Sequence, residues 1–135
     1  QDIRSVAEDL IKKGRTEAVI PRKVLKPWGS YMLLDSAENY KVMWVDILPG
    51  RRLSLRSHEC RSEHWTIVAG RATVTRGEEV LEAPLGSDIY IPRRVKHRVE
   101  NRGEETLRII EVQTGSYLGE DDIVRYEDDY GRTAS

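Results

Sequence analysis

Phenylalanine is absent from this 135-residue chain, and no apolar run approaches the roughly 18 residues of a membrane-spanning helix. The aromatic content rests on three Trp and six Tyr, side chains that combine an apolar body with a polar handle. A single cysteine, Cys60, excludes an intrachain disulfide and fits a reducing, cytoplasmic compartment. Neither sign of charge dominates, since 22 Lys and Arg stand against 23 Asp and Glu for a net charge of −1. There is therefore no global basic field to gather nucleic acid. Internal repeats and low-complexity tracts are also missing. No signal-peptide pattern opens the chain, and its start at Gln1 without an initiator Met reads as that of a fragment or a trimmed form.

The length suits one domain with a proper core. Ile3, Val6, Ala7, Leu10 and Ile11 recur at helical spacing, which predicts a helix over 2–14, capped by Asp2 and stopped near Gly14. Residues 17–25 are mixed, and Lys26-Pro27-Trp28-Gly29 is a breaker. Tyr31–Leu34 and Tyr40–Leu48 then read as strands, the second so apolar that it suggests burial on both faces. Further strands are expected near 52–57, 63–69, 71–75, 79–82, 88–91, 96–100 and 106–113. Many short strands between Gly, Pro and Asp turns predict an all-β barrel. By itself the acidic stretch after Tyr117 reads as a solvated extension. The domain division is a lead-in over 1–24 and one barrel with its C-terminal extension over 25–135.

All three histidines, His58, His64 and His97, lie between Pro49 and Asn101. Around them Gly50, Arg56, His58, Glu63 and Gly70 form one spaced set, and Gly86, Pro92, Arg94, His97 and Asn101 form a second. Side chains two apart on a strand share a face, so Ser54, Arg56 and His58 point the same way. Glu63 enters the next strand and His97 arrives from a separate hairpin. A small barrel brings such inward-facing residues together in its mouth. Two imidazoles and a carboxylate suit Zn²⁺ or another divalent ion, which makes His58, Glu63 and His97 the candidate metal ligands. His64 neighbours Glu63 and faces the opposite way, so it reads as structural or supporting. Cys60 reads as a buried small residue, with a soft metal ligand as the alternative. The two sets resemble the two motifs of the cupin β-barrel. That resemblance implies a double-stranded β-helix, or jelly roll, here preceded by one N-terminal helix.

Several segments together resemble type II mannose-6-phosphate isomerases. They are Lys26-Pro27-Trp28-Gly29, Leu53-Ser54-Leu55, His58 with Arg61-Ser62-Glu63-His64-Trp65, Tyr90-Ile91-Pro92, and His97-Arg98-Val99-Glu100-Asn101. The stretch from Ile110 to Arg125, continuing through Tyr130-Gly131-Arg132, is the most specific. On this resemblance the acidic tail is part of the fold. In that family the domain usually follows a mannose-1-phosphate guanylyltransferase, whose glycine-rich nucleotide loop is not found in these residues. The resemblance implies interconversion of mannose 6-phosphate and fructose 6-phosphate, a homodimer, and a covalently linked N-terminal nucleotidyltransferase domain beyond this chain.

The sequence departs from the family in four places. Arg56 stands where the family places a Gln resembling a metal ligand, and a guanidinium has no lone pair to offer a cation. Glu59 and Cys60 replace two histidines, and Arg94 replaces a glycine. Aldose–ketose isomerisation moves a proton between C1 and C2, with a divalent ion polarising the carbonyl. On this scheme Arg56 occupies the fourth ligand position and also lies among the substrate-binding residues Ser54, Arg56, Arg61 and Arg98. Arg61 and Arg98 are phosphate and catalytic candidates, because arginine binds phosphate in a bidentate manner. Glu111 is the candidate proton carrier. Two other readings stay open. One is a metal-poor or inactive cupin that binds a sugar phosphate. The other is a different cupin enzyme using Fe or Mn.

Overall fold

Along Arg61–Ala69, buried side chains alternate with more exposed ones: Arg61, Glu63, Trp65 and Ile67 point inward, while His64 and Val68 face solvent. That period of two is the signature of a strand with one wet face. The computed structural model describes residues 22–130, and the pattern recurs through them. Eleven strands are formed among the described residues: β1 (Lys23–Lys26), β2 (Gly29–Ser36), β3 (Tyr40–Ile47), β4 (Leu55–Ser57), β5 (Arg61–Ala69), β6 (Ala72–Arg76), β7 (Glu79–Ala83), β8 (Asp88–Ile91), β9 (His97–Glu100), β10 (Leu107–Gly115) and β11 (Val124–Glu127). The helix expected over 2–14 lies outside the described residues.

The strands build two sheets, a six-stranded one in the order β1-β2-β3-β10-β5-β8 and a five-stranded one in the order β11-β4-β9-β6-β7. Their pairings are antiparallel. The two inner faces enclose Ile47, Ile67, Val74, Ile91, Val99, Leu107 and Ile109, all buried. The all-β jelly roll expected from the sequence is therefore the architecture found.

Two local features correct the sequence reading, and a third bears out what the resemblance implied for the tail. β3 is buried on one face only: Met43, Val45 and Ile47 point inward, whereas Val42 and Trp44 are half-exposed. The outer face of Trp44 is covered by charge rather than by a second layer, with the Arg108 guanidinium 4.2 Å from its ring centroid and Asp46 accepting its indole N–H. β1 forms in the stretch read as mixed, paired along β2 from Lys23↔Met32 to Lys26↔Gly29. The acidic tail, solvated on its own reading, supplies β11 at the edge of the second sheet beside β4.

Two turns show why particular residues matter. Gly70 has φ 77°, and a Cβ there would meet the carbonyl oxygen of Thr106 at 3.0 Å, so only glycine fits without a shift. Arg94 also adopts a left-handed backbone, φ 69°, its N–H donating to the carbonyl of His58 at 2.7 Å. A non-glycine residue thus holds a left-handed backbone here, at a cost of about 1–2 kcal/mol.

Candidate functional site

The inward positions of several strands meet in one cavity of about 100 Å³. β5 contributes Arg61 and Glu63, β9 contributes His97, and β10 contributes Glu111 and Gln113. Ser54, Arg56 and His58 come from β4 and its flanks, on one face as their spacing requires. Ser54, His58, Glu63 and His97 are each at most 3% exposed, so their polar groups must find partners inside.

They do so around Glu63. One carboxylate oxygen accepts the Trp65 indole N–H at 2.9 Å, and the other lies 3.3 Å from His58 Nε2. His97 Nε2 stands 3.9 Å from Glu63. One donor atom each from His58, Glu63 and His97 can be chosen so that all lie within 4.8 Å of one another. The far nitrogen of each ring is fixed by a backbone carbonyl: His58 Nδ1 donates to Asp122 O at 2.6 Å and His97 Nδ1 to Val95 O at 2.9 Å. A carbonyl only accepts, so each Nδ1 carries its hydrogen and each Nε2 faces the site, where His58 Nε2 meets the Arg61 guanidinium as well as Glu63. Ring orientation by a carbonyl behind the ligand is what a metal-holding histidine needs, and the donor set fits a divalent cation.

A guanidinium competes for the same atoms. Arg61 Nη2 lies 3.1 Å from His58 Nε2 and 2.9 Å from Glu63, and Arg61 Nε donates to Glu63 at 2.9 Å. The arginine that meets the candidate ligands is therefore Arg61, whereas the sequence placed Arg56 at the fourth position. Arg56 lies on the adjoining wall, its Nε donating to Ser54 Oγ at 2.9 Å. Arg98 is turned away from the donors and toward backbone and tail. Its Nε donates to Leu53 O at 2.8 Å, its Nη2 to Glu127 O at 3.3 Å, and its Nη1 lies 3.6 Å from the Glu127 carboxylate.

Electrostatics separates the two carboxylates. Burial opposes the charge on Glu63, but the His58 ring and the surrounding cations outweigh it and hold this carboxyl well below the usual range. Arg61 is the steadiest of those cations, because burial pushes His97 down to about 4 and leaves it neutral at pH 7. Glu111 moves the other way, pushed up to about 8 by burial and then by the charge of Glu63. The Gln113 amide, donating to Glu111 at 2.7 Å, and the Arg61 and Arg56 charges only partly offset this. One cavity thus holds an anionic and a protonated carboxyl.

His64 stands on the outer face of β5 with its ring 4.6 Å from that of Tyr90, as alternation requires. Cys60 is half-buried, and its backbone N–H donates to Asp122 Oδ2. Asn101 is a staple: its amide donates to Ile47 O and Glu105 O, and its oxygen accepts from Gly103 N–H. Sequence reasoning missed three residues here, Gln113, Asp122 and Arg125. Asp122 receives the N–H groups of Glu59 and Cys60 on its side chain while its carbonyl holds His58. Arg125 lines the cavity from β11. The only signal that could have found them is the match of the Ile110–Arg125 stretch to the family.

Comparison with known proteins agrees with this geometry. The double-stranded β-helix protein from Klebsiella pneumoniae superposes at TM-score 0.64 and 17% identity, covering 88% of this chain and 95% of that one. Bacillus subtilis oxalate decarboxylase OxdC, as an S161A mutant, superposes at TM-score 0.66 and 21% identity over 77% of this chain and 29% of that one. At such identities these likenesses show the fold. In sequence the chain is 50% identical to the xanthan biosynthesis protein XanB of Xanthomonas campestris over 98% of its length. It is 46% identical to the alginate biosynthesis protein AlgA of Pseudomonas aeruginosa over 99%, and 46% identical to the mannose-1-phosphate guanylyltransferase ManC of Salmonella typhimurium over 98%. It spans 28% of the length of each of these curated relatives. No helix among the described residues is long and apolar enough to cross a membrane. A family described as mannose-6-phosphate isomerase C-terminal matches residues 13–128, and the chain belongs to that family.

Proposed function

We propose that this domain interconverts mannose 6-phosphate and fructose 6-phosphate as a divalent-metal-dependent aldose–ketose isomerase. The observation that carries the reading is one cavity containing three convergent metal-type donors, His58, Glu63 and His97, together with the protonated carboxyl of Glu111. These three residues would hold the ion, with Zn²⁺ the first choice for a His₂–carboxylate set. When bound, the ion supplies polarisation of the sugar carbonyl.

The proton work falls to the chain. Isomerisation takes a proton from C2 and returns one to C1, while a second passes from O2 to O1. Glu111 is the carrier at carbon: in its ionised form it takes the C2 proton, and its raised pKa makes it a stronger base than an ordinary carboxylate. Gln113, which donates to Glu111 and also contacts Met43 Sδ, fixes the carboxyl plane. Arg61 keeps Glu63 ionised and competes with the ion for the same Glu63 and His58 acceptors.

The position of Arg61 also favours a second reading, a metal-poor module that binds a sugar phosphate without turning it over. A coupled assay of mannose 6-phosphate isomerisation, run beside elemental analysis of the same purified chain, separates the two. The isomerase is expected to carry one divalent ion per chain, to lose turnover on chelation, and to lose metal in His97→Ala. Binding without metal or turnover supports the second reading, and full metal occupancy without turnover overturns the first. A homodimer, a nucleotidyltransferase domain ahead of this one and a cytoplasmic setting complete the proposal. Sedimentation at several concentrations tests the dimer.

A further inference from the structure

Five cations line the cavity, Lys26, Arg56, Arg61, Arg98 and Arg125, against the carboxylates Glu63, Glu111 and Glu120. The arginines are not equivalent. Arg61 is engaged with Glu63 and His58 through Nε and Nη2. Arg98 is engaged with Leu53 O and with Glu127 through Nε, Nη1 and Nη2. Neither is free to clamp a second anion without giving up partners that hold the barrel together. Arg125 differs: its Nε is buried and has no hydrogen-bond partner among the described residues. A buried orphan donor of this kind costs stability and calls for an explanation.

Its neighbour sharpens the question. Arg125 of β11 is directly paired with Arg56 of β4, and Arg56 with His97 of β9. Both arginines line the same cavity. Like charges on directly opposed antiparallel positions repel, and an anion between them reverses the sign of that interaction.

Resting on the isomerase reading, we propose that Arg56 and Arg125 form the phosphate subsite of the cavity, gripping the phosphomonoester dianion from the β4–β11 side while His58, Glu63 and His97 face the sugar. Arg61 and Arg98 are then positioning groups rather than phosphate ligands.

Calorimetric titration of the metal-chelated protein with inorganic phosphate, mannose 6-phosphate and unphosphorylated mannose tests this without using turnover. Arg125→Leu and Arg56→Gln are each expected to weaken phosphate and mannose 6-phosphate roughly tenfold to hundredfold, while mannose is unaffected. Arg125→Lys should recover part of the loss, and Arg102→Gln, which alters an exposed pair with Glu100, should lose nothing. Melting curves of each variant establish folding. Wild-type affinity retained in Arg125→Leu, or a wild type that binds neither phosphate nor mannose 6-phosphate, overturns the subsite. Arg125-dependent phosphate binding in a protein that never isomerises mannose 6-phosphate upholds the subsite and removes only the isomerase.

Discussion

β5 and β10 each cross the barrel with two chemistries on one inner face. From one end β5 presents Arg61 and Glu63, then Trp65 and Ile67; beside it β10 presents Gln113 opposite Glu63, Glu111 opposite Trp65 and Ile109 opposite Ile67, with Leu107 beyond. The halves are built from the same strands, so backbone geometry cannot explain their difference. The apolar half gains from removal of water, about 25 cal/mol for each Å² of apolar surface buried. The polar half must desolvate a carboxylate, a guanidinium and two imidazoles, and a buried ion pair seldom beats an apolar replacement. The polar half therefore persists for what it binds, and the apolar half holds it in place.

The strongest way to break this comparison is to cut the ion pair. Glu63→Ala leaves the Arg61 guanidinium buried with its main partner gone, and is expected to cost about 3–5 kcal/mol in urea unfolding. Replacing both by leucine should restore most of that loss while abolishing metal uptake. A Glu63→Ala protein as stable as wild type would mean that the polar half is not the desolvated cluster described here.

In the apolar half, Ile67→Ala should cost about 2–5 kcal/mol yet leave metal content as in wild type. Along the strand Ile67 is four residues, roughly 13 Å, from Glu63, far enough for the two effects to add. Metal loss in Ile67→Ala would show that the halves are not separable.

A subtler distinction is the response to pH in the metal-free protein. The folded value of Glu111, about 8, lies above its ordinary 4.5. The folded protein therefore keeps a proton that the unfolded chain releases, and this stability is complete below pH 4.5 and lost as pH rises to 8. His97, lowered from 6.5 to about 4, acts in the opposite sense below 6.5. Between pH 6.5 and 8 Glu111 should thus contribute a fall that His97 no longer opposes, and Glu111→Gln should flatten melting temperature against pH in this window. An unchanged slope would relocate the titrating group.

The smallest effect belongs outside both halves. Arg94→Gly relieves a left-handed backbone worth about 1–2 kcal/mol but removes an exposed ion pair with Glu59, worth about 0–1 kcal/mol. A net gain of about 0–2 kcal/mol is expected in the same unfolding assay. A loss instead would show that the Glu59 contact matters more than exposure suggests.

What could be read from the sequence follows from the range of each rule. Alternation is local, so Ser54, His58, Glu63 and the outward His64 fall where spacing puts them. His97 converges with them because the barrel resemblance carried the long-range part. The both-faces reading of β3 failed because apolar side chains such as Trp44 can be covered by an arginine as well as by another layer. β1 was missed because Lys23-Val24-Leu25-Lys26 is too short for a period to stand out. The exchange of roles between Arg56 and Arg61 was out of reach, since a long guanidinium chooses its partner among groups that spacing does not locate. Asp122 and Arg125 lie 64 and 69 positions from their partners His58 and Arg56, a separation no local pattern spans.

That separation has a consequence in time. His58 takes its orientation from the carbonyl of Asp122, and β4 receives its outer partner only when β11 exists. A ribosome adding about 5–20 residues per second makes those 64 residues in roughly 3–13 s. During that interval His58 and Glu63 exist without the segment that orients His58, and His97 joins them only for the last part of it. Completion of the His58, Glu63 and His97 donor set is therefore a late event in the life of each new chain, set by the arrival of a short acidic segment rather than by the histidines themselves.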